Sequence, residues 1–211
     1  MPRQAAAMHK GFLLAVLSHD HRFVRKIVDE ARGRRLEVVH VTSRGEIPLA
    51  AKAIVVKKGE FPDMVVDKAF EAEPDQSPAS VVDKAIEKGF MLDKVAKALV
   101  AVDPGKKMGL AYFADNVLLR TETLYDQEVL AEHVADFFRN HPESTHHVVV
   151  GAGAPAYREQ LIEMLLRKMP DLSAENIFTV PEKNSTRLAR GRDELAAAVI
   201  HRIWSRGGKR S

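Results

Sequence analysis

Apolar residues along this chain fall into short runs and helically spaced sets, punctuated by Gly, Pro and charged residues. Gly11 to Ser18 is an apolar run of strand length, and Ser18 or Asp20 can cap the helix that follows. That helix, roughly Asp20 to Arg32, carries Phe23, Ile27, Val28 and Ala31 at helical spacing, and Gly33 stops it. Leu36 to Val41 and Ala53 to Val56 read as two further strands, with a turn at Gly45 to Pro48 between them. Strand, helix, strand, strand implies a small open parallel α/β domain over 11–70, receiver-like or Rossmann-like, preceded by a loose tail of residues 1–10. No Gly-rich phosphate loop follows its first strand, and Asp20 is the only acid near that turn. The expectation for this domain is a structural or partner-binding module.

Glu71 to Ser80 is polar and contains two prolines, so 71–97 reads as linker and helix, the helix at Ser80 to Lys88 and a further helical turn at Leu92 to Lys97. The pattern then changes. Ala98 to Val102, Met108 to Phe113 and Asn116 to Thr123 read as three strands, with turns at Asp103-Pro104-Gly105 and Ala114-Asp115-Asn116, an antiparallel meander. A helix from about Asp126 to Asn140 places Val129, Leu130, Val134, Phe137 and Phe138 on its apolar face. His146 to Val150 is a fourth strand, Pro155 to Lys168 a helix burying Leu161, Ile162, Leu165 and Leu166, and Ile177 to Val180 a fifth strand. About Ser185 to Trp204 is the last helix, with Trp204 read as core, and 207–211 is a basic tail. The fold class is therefore α/β: a mixed five-stranded sheet of order βββαβαβα over 98–206, preceded by the small open α/β domain.

Composition narrows the chemistry. The 211 residues are 45% hydrophobic and 29% charged, enough to bury a core. There is no cysteine, which excludes disulfides, thiolate metal sites and cysteine nucleophiles. A net charge of +3 is compatible with nucleic acid, and the basic residues concentrate between Arg187 and Arg210. The first ten residues lack the apolar core of a signal peptide, and no apolar run approaches the ~20 residues of a membrane span. The expectation is a cytoplasmic protein without a membrane partner. The nine histidines show no metal spacing; His146 and His147 open a strand and would point to opposite faces.

Asp103 ends the buried strand Ala98 to Val102, where a carboxylate costs free energy unless a metal or hydrogen bonds compensate. Asp-Pro-Gly is also good turn chemistry, so the residue reads either as a turn cap or as part of a site. Four stretches make a resemblance. Asp103-Pro104-Gly105 with Gly109 resembles the Asp-Pro-Gly-x-x-x-Gly that opens YqgF-like domains of the RuvC and ribonuclease H superfamily. Val148 to Glu159 is similar to the loop after the fourth strand in the YqgF domain of Tex proteins. Pro181 to Thr186 resembles the Asp-Glu-x-x-Ser-Thr stretch of stand-alone YqgF proteins, and Asp193 to Ile200 their closing Asp-x-x-Ala-Ala helix. The resemblance covers roughly half of the chain and implies the ribonuclease H fold over 98–206.

It also implies a site. Asp103, Glu182 and Asp193 would be the catalytic carboxylates and hold Mg²⁺ or Mn²⁺, since hard oxygen ligands suit those ions and clustered carboxylates need a cation. Gly151 and Gly153, followed by a helix N-terminus, would let the backbone approach phosphate. Lys106, Lys107, Arg158, Arg187 and Arg190 would line a phosphate track, or else form a solvated basic face. RuvC carries an acid at the end of its fourth strand, where this chain has Gly151-Ala152-Gly153. The implied function is a metal-dependent nuclease, Holliday-junction-resolvase-like, acting on structured DNA or RNA, with a homodimer allowed. The alternative is a non-catalytic nucleic-acid- or protein-binding module that keeps the fold. An actin-like ATP-binding protein would need a duplicated domain, and 11–70 does not repeat the βββαβαβα pattern.

Overall fold

A computed structural model describes residues 9–64, 66–152, 155–180, 197, 198 and 200. It divides into two units, 1–94 and 95–211, each with its own sheet.

The first unit is built on β1 (Leu13–Leu17), buried almost throughout, as a central parallel strand requires. Asp20 ends the following turn and accepts hydrogen bonds from the amides of Arg22 and Phe23, capping α1 (His21–Gly33). α1 buries Phe23, Val24, Ile27 and Ala31, and Arg35, in the left-handed region at φ 64°, turns the chain into β2 (Glu37–Val41). β3 (Ala53–Lys57) and β4 (Ala69–Ala72) complete an all-parallel sheet of order β2-β1-β3-β4. α2 (Pro78–Gly89), with proline in its first turn, packs on α1 and on β3. Ile47, Phe61 and Met64, from the loops after β2 and β3, pack on Ala15, Leu17, Val41, Ile54 and Val56.

Two expectations change here. Ala69–Ala72, at the edge of the supposed linker, is a strand in register with Ile54 to Lys57. Its four residues, flanked by Asp67-Lys68 and Glu73-Pro74, are too few to show a strand period. With α2 packed on α1, residues 71–94 belong to the first unit instead of joining two domains. The expected helical turn over Leu92 to Lys97 is replaced by an irregular stretch, because Asp115 accepts hydrogen bonds from the amides of Ala96 and Lys97 and starts the next strand there.

The second unit has a mixed sheet of order β7-β6-β5-β8-β9. Its strands are β5 (Lys97–Asp103), β6 (Met108–Ala114), β7 (Val117–Leu124), β8 (Thr145–Gly151) and β9 (Ile177–Val180). β6 runs antiparallel to β5 and β7, whereas β8 is parallel to β5 and β9 parallel to β8. The β6–β7 turn holds Asp115 at φ 45° and Asn116 at φ 71°, the left-handed pair a two-residue hairpin demands. α3 (Gln127–Arg139) is capped by Asp126 and buries Leu130, Ala131, Val134, Phe137 and Phe138. Tyr112, buried in the middle of β6, meets Phe137 edge-to-face at 5.1 Å. α4 (Pro155–Lys168) has the expected bounds, though only Leu161 and Leu165 of its four apolar positions are fully buried.

Alternation along the strands splits the core. Leu99 and Ala101 of β5 share a cluster with Ala111, Phe113, Val149 and Val180, and helical Ala197 and Ile200 cover it. Of the expected last helix, 197, 198 and 200 are described and are helical; Trp204 lies outside the described residues. His146 and His147 do point to opposite faces. The His146 ring stacks on Phe138 and its Nε2 donates to the His141 carbonyl at 2.8 Å, whereas the His147 ring stacks on Phe178. Burial, with Lys97 and His146 nearby, holds the His147 pKa below its ordinary value. Among the described residues no helix is long and apolar enough to cross a membrane.

Candidate functional site

Asp103 is the last residue of β5, the central strand of the second sheet, and pairs with Gly109. Strand alternation puts it on the face of Leu99 and Ala101, which Ala197 and Ile200 cover. Its side chain is half-buried, and Pro104 beside it is buried. Lys106 and Lys107 sit exposed on the turn into β6. Gly105, just before them, is not left-handed, and a Cβ there would meet nothing nearer than the Lys107 carbonyl at 3.5 Å. Backbone strain therefore does not require the glycine in this turn.

The parallel neighbour follows in register. Val102 pairs with Val150, so Asp103 and Gly151 end adjacent strands, and Gly151 pairs with Val180 at the end of β9. The amide of Ala152 donates to the Val180 carbonyl at 2.8 Å. Three strand ends are thus side by side. Arg158, one turn into α4, donates through Nη1 to the Ala152 carbonyl at 3.0 Å and lies 3.5 Å from Glu159 Oε1 through Nη2. Its guanidinium braces the loop after β8, a use its place in the sequence did not announce. Glu182, Asp193, Gly153, Arg187 and Arg190 lie outside the described residues. Among the described residues no three His, Asp or Glu side chains are grouped to hold a metal ion.

Sequence reasoning passed over a second polar cluster, at the carboxyl end of the first sheet. There the chain leaves β1 toward β2 on one side, and β3 flanks it on the other, so the loops diverge. Lys57 Nζ lies 2.9 Å from Asp20 Oδ2 and 3.4 Å from Glu60 Oε1. The buried Ser18 hydroxyl donates to Glu60 Oε1 at 3.2 Å and accepts from the Asp20 amide, while the His19 amide donates to Glu60 Oε2 at 2.7 Å. His40 Nε2 donates to the Ser18 carbonyl at 2.9 Å. Every polar group named here has a partner within the cluster, which makes it a clasp joining the loops after β1 and β3. The available signal was Lys57 and Glu60 three residues apart; nothing local announced their partner 37 to 42 residues earlier.

The clasp carries a pH dependence. The Lys57 hydrogen bond, followed by the Phe23 amide, holds Asp20 down to about 2. Burial pushes Glu60 up, but the His19 amide, the Ser18 hydroxyl and Lys57 outweigh it and leave it below its ordinary value. The Asp20 hydrogen bond raises Lys57. Depressed carboxylates contribute stability that is complete above the unfolded carboxylate range and is lost as pH falls through the folded values. The raised lysine contributes below its unfolded value and loses that contribution at strongly alkaline pH. Urea unfolding should therefore show Lys57→Met less stable than wild type at pH 7, with the gap narrowing toward pH 2; an equal gap at both pH values would rule out this coupling.

No family model matches the chain, and no curated protein matches it.

Proposed function

We propose that the second unit is a ribonuclease H-like domain of the YqgF and RuvC kind, and that the protein is a metal-dependent nuclease acting on structured nucleic acid. The observation that carries this reading is Asp103 at the carboxyl end of the central strand, level with Gly151 and on the face covered by helical residues. An antiparallel three-strand half followed by two parallel strands, with α3 and α4 as connections, agrees with the order βββαβαβα. Helical Ala197 and Ile200 meet the β5 side on which Asp103 stands, and Asp193 precedes them in the sequence by four and seven residues. In this reading Asp103, Asp193 and Glu182 would hold Mg²⁺ or Mn²⁺, and an all-oxygen donor set fits such ions. The metal would supply neutralisation of charge developing on a phosphodiester. The chain's own contribution is positioning: Asp103 is anchored by its strand, and Lys106 and Lys107 meet the phosphate backbone from an exposed turn.

The second reading, a binding module without catalysis, is favoured by one feature. β8 ends at Gly151 and is followed by Ala152, with no carboxylate where RuvC has one. The two separate in one assay, in which the purified chain is given labelled hairpin, branched and single-stranded DNA and RNA with Mg²⁺ or Mn²⁺. The nuclease reading expects cleavage that depends on the divalent ion. Salt-dependent binding without cleavage would leave the binding module, and no binding would overturn both. Lys106→Ala with Lys107→Ala should weaken binding to all sequences alike and lower the log–log salt slope by roughly one to two units, about 0.9 per phosphate contact.

A further inference from the structure

The chain has three tyrosines, and they are disposed unequally. Tyr112 is buried under α3, whereas Tyr125 is 74% exposed and Tyr157 36% exposed. Both exposed rings stand at the end of the second sheet that carries Asp103. Tyr125 directly follows Leu124, the partner of Met108, and so sits across from the Lys106-Lys107 turn. Tyr157 lies in the first turn of α4, next to Arg158, which grips the loop after β8. Gln127, two residues past Tyr125, donates through Nε2 to the Tyr157 carbonyl at 3.3 Å, tying the starts of α3 and α4 together. Core packing does not account for the ring of Tyr125, and Tyr157 keeps about a third of its surface open to solvent. An exposed ring at the same sheet end as two exposed lysines is the pairing that binds unstacked bases, with cations on the backbone and aromatic faces under the bases.

We infer that Tyr125 and Tyr157 are base-stacking platforms, and that the nucleic acid taken at this sheet end is single-stranded or locally unpaired. The inference rests on the nucleic-acid reading of the same site and adds the substrate class to it. A duplex offers its bases only at groove edges, so flat aromatic faces gain nothing from it, whereas a splayed strand offers a π-face at every base. Asp126, Glu128 and Glu159 flank the patch, and Asp126 is occupied in capping α3. These acids set a limit on non-specific attraction, so stacking rather than charge would carry the preference for unpaired strands.

The test is fluorescence anisotropy of the full chain with a labelled 20-nucleotide oligothymidine and with a duplex of equal length. Tyr125→Ala and Tyr157→Ala should each weaken single-strand binding by about 5- to 100-fold, and Tyr→Phe at either position should keep it, because stacking needs the ring and not the hydroxyl. The salt slope should stay as in wild type for these variants, in contrast to the lysine variants. Since both rings are exposed, circular dichroism should show the fold intact. Single-strand affinity within twofold of wild type for both alanine variants, or equal loss for Phe and Ala, would overturn the stacking role while leaving lysine-dependent binding, and with it the broader reading, in place. Loss of oligothymidine and duplex binding to the same extent would overturn the single-strand preference. A wild-type chain that binds neither nucleic acid would overturn both inferences.

Discussion

Asp103→Asn should abolish divalent-dependent cleavage while leaving nucleic-acid binding intact or slightly tighter. Asparagine keeps the size and the turn preference of aspartate but removes the charge a divalent ion needs. Metal-ion stabilisation of a phosphoryl transition state is worth several kcal/mol, so the loss should be on the order of 100-fold or more in rate. Binding should tighten because a negative charge next to Lys106 and Lys107 has gone. Calorimetry should show weaker Mn²⁺ binding by the same variant, and thermal unfolding should be close to wild type, since the residue is half-buried at a strand end. Undiminished cleavage by Asp103→Asn would remove the metal-site reading. A large drop in melting temperature would return Asp103 to the role of a turn cap.

The second large effect is structural. Arg34, which follows α1, places Nη1 2.5 Å from Asp83 Oδ1 of α2, Nε 2.8 Å from Glu30 Oε1, and Nη2 2.9 Å from the Ala79 carbonyl. The Arg34 and Asp83 side chains are only 8% and 4% exposed. A guanidinium satisfies all three acceptors at once through its planar fork, which a lysine cannot do. Arg34→Met would take the cation from a buried carboxylate and should destabilise the first unit by about 3–5 kcal/mol. For a unit of this size that is a drop in melting temperature of at least about 12 °C. The double variant Arg34→Met, Asp83→Leu should recover much of the loss, since replacing both members of a buried pair by apolar residues is often neutral. A double variant as unstable as the single one would show that the pair stabilises the α1–α2 contact by more than mutual neutralisation.

Much of the fold was legible without coordinates. The apolar run of β5 stopped by Asp103-Pro104-Gly105, the Asp115-Asn116 hairpin, and the bounds of α4 and β9 all follow from contiguous residues. Their causes are local: side-chain period, the fixed φ of proline, and the tolerance of Asp and Asn for left-handed backbone. The same holds for Asp103 as a strand-end carboxylate. Its level with Gly151 follows once β5 and β8 are known to be parallel neighbours.

Tertiary structure alone decided the rest. β4 exists because β3 offers a free edge to a four-residue segment whose own pattern is silent. Glu60 meets the Ser18 hydroxyl and the His19 amide, and Arg34 meets Asp83, across 41 to 49 residues. Arg158, expected on a phosphate track, also braces the Ala152 carbonyl, and of the three tyrosines Tyr112 is buried, Tyr125 is largely exposed and Tyr157 only about one-third exposed. A chain with 32 basic and 29 acidic residues offers many charge pairings of similar local merit. Which form depends on where packing delivers the backbone and how much water it removes, because an ion pair gains or loses most of its worth through desolvation. Periodicity and turn chemistry belong to neighbouring residues and can be read from them; burial and partner choice belong to the folded assembly and cannot.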